Sequence, residues 1–196
     1  MRFSVLSNVE LSLPSMTPGM DPPRLRRAYF ECRYGQLHVH NAIPVGGGFD
    51  ELTTLVCLHG GGATGRTFLE LSRRLGRTRS VYSPDLPGSG ESDGPGTPPS
   101  AVACAEAIAD FIDSMRFRQL DLLGVGTGAA AVAEVAIARP KVARKVVLLG
   151  TVAPEGWQAK ARLPLLKGVW DVPEATPQQV QQAEGKLVSR LLEFLN

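Results

Sequence analysis

Between Leu52 and Leu149 the chain alternates apolar runs of strand length with stretches whose apolar residues recur at helical spacing, three times in succession. That alternation is the strongest constraint on the fold. A strand followed by a crossover helix and another strand builds a parallel sheet, whose strands are covered on both faces and so read as unbroken apolar runs. Leu52 to Leu58 is the first such strand, and Phe68, Leu71 and Leu75 mark the helix after it. Ser80 to Ser83 is the second, followed by the start signals of Thr97-Pro98-Pro99-Ser100 and a helix face at Ala105, Ile108, Ile112 and Met115. Gln119 to Leu123 is the third strand, and an alanine-rich helix then runs to about Ala138, stopping before Pro140. Lys145 to Leu149 is the last clear strand. The class is α/β, a mostly parallel sheet with helices on both faces.

The flanks read differently. Residues 1–27 mix Pro14, Pro18, Pro22 and Pro23 with glycine and serine and are expected to form a flexible leader. From Ala28 two short antiparallel strands meet at a turn around Gly35, placing the core at 28–154. Residues 155–175 look irregular. Thr176-Pro177-Gln178-Gln179 resembles a capping box opening one amphipathic helix through Val180, Ala183, Leu187, Leu191 and Leu195, so 155–196 is expected to be a partial cap or a C-terminal helical segment of the same domain.

At 196 residues and 43% hydrophobic content, one globular domain is the expectation. The net charge of +2 is spread over separate arginines without a groove-reading motif, which argues against a nucleic-acid partner. No apolar run is long enough for a membrane span, and Cys32, Cys57 and Cys104 show neither zinc nor redox spacing. These features lead to the expectation of a cytoplasmic protein with no cofactor and no metal.

Three local patterns carry the chemistry. A strand ends at His59-Gly60-Gly61-Gly62, a second runs into Asp85-Leu86-Pro87-Gly88-Ser89-Gly90, and a third meets Gly124-Val125-Gly126-Thr127-Gly128 immediately before a helix. In that order and context they resemble the α/β-hydrolase fold family, esterase- and lipase-like, over roughly residues 28–153. The resemblance implies that 124–128 is the nucleophile elbow, with Gly124 and Gly128 as its tight flanks. It also implies that Gly61 and Thr127 supply oxyanion-hole N–H groups, and that His59, Gly60, Asp85 and Gly88 shape the surrounding loops.

This chain departs from the family pattern in two places. The position that should hold the attacking side chain is Gly126, and the family's order of nucleophile, acid, histidine has no histidine to complete it, because His38, His40 and His59 all precede the elbow. The reading is therefore a hydrolase-like chain that lacks the family's last strands and is impaired or inactive as a serine hydrolase, catalytic residues none intact. Thr127 is weighed as a replacement nucleophile and disfavoured, its side chain being expected to point away from the pocket. His59 reads as a loop brace, and His38 and His40 read as surface residues on a strand. Asp171 is a possible acid at the end of a later strand.

Three further readings stay open. Backbone N–H groups at the elbow could still receive a small carbonyl or carboxylate ligand. A missing sheet flank would leave the strand at 145–149 exposed, inviting a homo-oligomer or a partner chain. An active ester hydrolase with an unusual nucleophile is the third. Gly124-x-Gly126-x-x-Ala129 also satisfies a dinucleotide fingerprint, but the following strand ends in Gly150-Thr151 where that fingerprint wants an acid.

Overall fold

Alternation of side chains across a pleated strand decides how each element here is covered. In the computed structural model, which describes residues 21–46, 52–152, 157, 162, 168–183 and 185–196, strand β3 (Leu55–Leu58) sends Val56 and Leu58 into one apolar cluster and Leu55 and Cys57 into another. β6 (Ala143–Leu149) divides Val146 and Leu148 from Val147 and Leu149 in the same way. Helices α2 (Ala101–Ser114) and α3 (Thr127–Ala138) cover the first face. Helices α1 (Leu69–Leu75), α4 (Pro177–Gln181) and α5 (Gly185–Leu195) cover the second. Each fully buried Leu or Ile side chain contributes about 1.5–3 kcal/mol of apolar transfer, which is why the strands run apolar on both sides.

The sheet has seven strands in the order β1-β2-β4-β3-β5-β6-β7. β1 (Arg24–Cys32) and β2 (Gly35–Ile43) form the antiparallel hairpin, and β2 pairs antiparallel with β4 (Val81–Pro84). From β4 through β3, β5 (Leu120–Val125), β6 and β7 (Val169–Val172) every pairing is parallel. The helix starts follow local chemistry. Ser100 caps α2 by accepting from the Ala103 N–H at 3.1 Å, and Gln179 accepts from the Thr176 N–H at 2.8 Å in the capping box of α4.

Three expectations change. β1 begins at Arg24, so Arg24–Arg27 belong to the sheet and not to a leader; residues 1–20 lie outside the described residues. β6 is not the last strand and its flank is not open, because β7 pairs along it from Val146↔Val169 to Leu149↔Val172. The single C-terminal helix is two helices, broken where Ala183 takes φ 50° and Gly185 φ 84°; the Arg74 guanidinium holds the Ala183 carbonyl at 3.0 Å. Those two helices pack on the sheet and do not reach over the elbow as a lid. The stretch Pro164 to Lys167 lies outside the described residues.

A buried ionic cluster fixes the C-terminal helix. Asp121 at the foot of β5, fully buried, accepts from Arg144 Nε at 2.8 Å and Nη2 at 2.6 Å and from Arg79 Nη1 at 3.3 Å. Arg144 and Lys145 also donate to the Leu195 and Phe194 carbonyls at 3.0 and 2.6 Å. These cations sit where α5 ends with unpaired carbonyls and the negative end of its dipole.

Candidate functional site

β5 and α3 are separated by one residue, so Gly126 alone must turn the chain, and it does so at φ 60° and ψ −123°. Its N–H donates to the Leu149 carbonyl at 2.9 Å, and its own carbonyl accepts from Val152 at 3.1 Å, pinning the turn to the end of β6. The flanking glycines are dictated by packing. A Cβ on Gly124 would stand 2.5 Å from Ala129 Cα, and one on Gly128 would run into the carbonyl oxygens of Leu58 and His59. Gly126 differs, since the nearest atom to a Cβ there is Gly60 Cα at 3.7 Å. Room for a side chain exists at the one position that lacks it.

The loop after β3 faces this turn. The Gly61 N–H donates to Thr127 Oγ1 at 2.7 Å, which corrects the expectation that the Thr127 side chain points away and that the Gly61 N–H is open. The threonine oxygen thus takes the Gly61 N–H, and as a hydroxyl it still carries a hydrogen to donate. The Thr127 N–H heads α3, where no preceding helical turn offers it a carbonyl.

His59 spans two loops. The Leu86 N–H donates to its Nε2 at 2.9 Å, so Nδ1 carries the hydrogen and donates to the Gly60 carbonyl at 2.8 Å. Burial pulls its pKa below the usual imidazole range. With both nitrogens engaged, it holds the glycine loop against the Asp85-to-Gly90 turn and has no lone pair for proton abstraction.

Asp85 organises that turn. Its Oδ1 accepts from the Gly65 N–H at 2.7 Å, and its Oδ2 from the Glu91 N–H at 3.1 Å and from His38 Nδ1 at 2.9 Å. Burial acting alone would raise its carboxyl pKa, but the His38 bond and the two N–H donors outweigh it and hold the group below its ordinary value. His38 is therefore not a surface residue. It is 1% exposed beside Asp85, because β2 is covered by the β4 turn at that point, and His40 is half-buried.

A crevice of about 690 Å³ opens above the elbow, lined by Gly60, Gly61, Leu86, Pro98, Cys104 and Thr127 among others. Gly88 also borders it. Asp171 lies across the sheet: Gly124 pairs with Leu148 and Leu148 with Asp171, which puts its backbone two strand spacings away, about 10 Å. It is exposed and accepts from Thr151 Oγ1 at 3.4 Å. The structure brings His59, Gly60, Gly61, Gly126 and Thr127 together and leaves Asp171 at the margin. Sequence reading missed the His38–Asp85 pair, since the two residues stand 47 positions apart and neither periodicity nor motif links them.

Comparison with known proteins agrees with this fold. An epoxide hydrolase, CorEH, superimposes with a TM-score of 0.59 at 18% identity, covering 66% of this chain and 43% of its own. A membrane phospholipase A gives 0.57 at 25% identity, covering 66% and 40%. The carboxylesterase CesB from Bacillus subtilis gives 0.58 at 18% identity, covering 66% and 44%. The chain thus spans less than half the length of each of these structures. No curated protein matches it in sequence. Among the described residues, no helix is long and apolar enough to cross a membrane. Residues 55–193 match the family described as the alpha/beta hydrolase family, and because that match takes in more than half of the 196 residues, the chain belongs to it.

Proposed function

We propose that this esterase-like chain does not act as a serine hydrolase and that its crevice serves instead to bind a small carbonyl or carboxylate ligand. The observation that carries the reading is Gly126. The residue occupies the strained turn from which a hydrolase aims its nucleophile, at φ 60° and ψ −123°, and offers no atom to form an acyl bond. Among the described residues no free imidazole faces the turn. His59 has both ring nitrogens bonded, His38 is bound to Asp85, and His40 lines the other crevice, away from Thr127.

Binding groups remain. The Thr127 N–H at the start of the 12-residue helix α3 and the Thr127 hydroxyl, held by Gly61, present donors to the crevice at the positive end of a helix dipole. A carboxylate or carbonyl oxygen satisfies them without any covalent step. Asp171 takes no part, standing exposed two strands from the turn.

The purified chain is expected to show no modification by a fluorophosphonate probe in intact-mass spectrometry and no release of p-nitrophenol from p-nitrophenyl acetate above the buffer rate. Stoichiometric labelling would overturn the proposal and revive the alternative of an unusual nucleophile, with Thr127→Ala then identifying the residue. Short carboxylates such as acetate and butyrate are expected to shift the amide resonances of Gly61, Thr127 and Gly128 saturably, and unmoved resonances would leave the crevice without a ligand role.

A further inference from the structure

His38 and His40 stand two residues apart on β2, so the pleat sends both imidazoles to one face of the sheet. The antiparallel pairing Val39↔Pro84 brings the end of β4 alongside, and with it Asp85. The result is a compact group of three. His38 Nδ1 lies 2.9 Å from Asp85 Oδ2, His40 Nε2 lies 3.8 Å from Asp85 Oδ1, and the two rings meet edge to face at 4.6 Å. One donor atom from each residue falls within 4.8 Å of the others.

Two observations set this cluster apart from an ordinary buried hydrogen-bond network. His38, at 1% exposure, leaves its Nε2 buried with no hydrogen-bond partner among the described residues, so the ring hydrogen can pass from Nδ1 to Nε2 and free the Nδ1 lone pair for a metal at the loss of the Asp85 bond alone. Asp85 Oδ1 accepts a hydrogen bond from the Gly65 N–H and keeps further lone-pair capacity 3.8 Å from His40 Nε2.

We propose that His38, His40 and Asp85 bind one divalent first-row transition-metal ion. Two imidazole nitrogens and a carboxylate oxygen are the donor set that suits zinc, cobalt, nickel or iron(II), whereas magnesium and calcium take oxygen ligands throughout. The separations are close to what such an ion needs. With ligand bonds of ~2.0–2.2 Å, the donors of a tetrahedral site lie ~3.3–3.6 Å apart; here the two imidazoles stand 2.9 and 3.8 Å from opposite oxygens of Asp85, and one donor atom per residue falls within 4.8 Å of the others, so binding draws His40 inward and moves His38 Nδ1 off its hydrogen bond. His40 is the ligand with room to adjust, its side chain being 19% exposed. It also lines a separate crevice of about 470 Å³ with Asn41, Arg66 and Ser72, which gives the ion its route in and a water its place on the open coordination position. Arg26, Arg27 and Arg66 border the same crevice, so an anion on that open position is favoured over neutral water.

The chain is suited to an unambiguous test because competing ligands are few. His59 is the only other histidine and both its nitrogens are bonded, while Cys57 and Cys104 are buried. Tag-free protein titrated with cobalt(II) chloride is expected to develop visible ligand-field absorption that saturates at one equivalent. Its proton spectrum is expected to show two strongly shifted resonances that vanish in D2O, one per ligating imidazole. His40→Ala, with its far-UV circular dichroism unchanged, is expected to weaken the affinity at least ~10-fold, the effect of losing a ligand being no smaller than that of losing an outer-shell partner. Cys32→Ser is expected to change nothing. An absence of saturable absorption in the unaltered chain, fewer than two shifted imidazole signals, or equal affinity in His40→Ala would each overturn the site.

Discussion

Placing a hydroxyl at the elbow by Gly126→Ser tests the proposal that this turn does not catalyse, and whether a nucleophile alone would be enough to change that. The structure sets the cost of the change. Packing does not forbid it, since the nearest atom to the new Cβ is Gly60 Cα at 3.7 Å. The expense lies in the backbone, because φ 60° with ψ −123° is a conformation that L-residues adopt only under constraint, at about 1–3 kcal/mol. For a chain of this size that lowers Tm by ~2–12 °C, readable by differential scanning calorimetry or circular dichroism. The variant is expected to fold and still fail to acylate. His59 is occupied at both nitrogens, at 2.8 and 2.9 Å, and freeing either one unties the glycine loop or the Asp85 turn. Fluorophosphonate labelling followed by intact-mass spectrometry is the assay. A covalent adduct on the introduced serine at neutral pH, formed faster than on free serine, would refute the claim that no base serves this turn.

Other outcomes follow from the same contacts. Gly128→Ala drives a Cβ into the Leu58 and His59 carbonyl oxygens and is expected to cost more than ~4 kcal/mol, seen as loss of the folded circular-dichroism signal, whereas Gly126→Ala remains folded. Arg144→Ala removes two bonds to the buried Asp121 and one to the Leu195 carbonyl; urea titration is expected to show a loss of about 2–3 kcal/mol, short of the ~3–5 kcal/mol of complete unpairing because Arg79 still faces the carboxylate. The buried His59 has a folded pKa below its unfolded value, so the unfolded chain binds its proton first on acidification. Its contribution is therefore fully present above about pH 6.5 and declines below it with a slope of up to ~1.4 kcal/mol per pH unit. Tm measured from pH 7.5 to 5 is expected to fall accordingly and to flatten in His59→Gln; an unchanged slope in that variant would dismiss His59 as the cause.

Much of the site was legible because it rests on neighbours in the chain. The run 120–138 declares a strand, a one-residue turn and a helix, with a glycine at the centre of that turn. What the turn does with Thr127 was not legible. The direction of that side chain depends on Gly61, 66 positions earlier, whose N–H it accepts.

The sequence by itself determined the alternation of strands and helices, the caps at Ser100 and Thr176, and the glycine-flanked turn centred on Gly126, because each depends on periodicity or on a few adjacent residues. Tertiary structure decided the rest. A four-residue strand such as Val169–Val172 was suggested in the sequence only by a family resemblance ending at Asp171, since four residues carry too little periodicity, and it forms because β6 offers it a row of hydrogen-bond partners. The burial of His38 against Asp85 and the docking of α5 on Arg144 and Lys145 likewise join residues 47 to 51 positions apart. Local propensity has no term for such distances; only the closed sheet brings these groups within reach of one another.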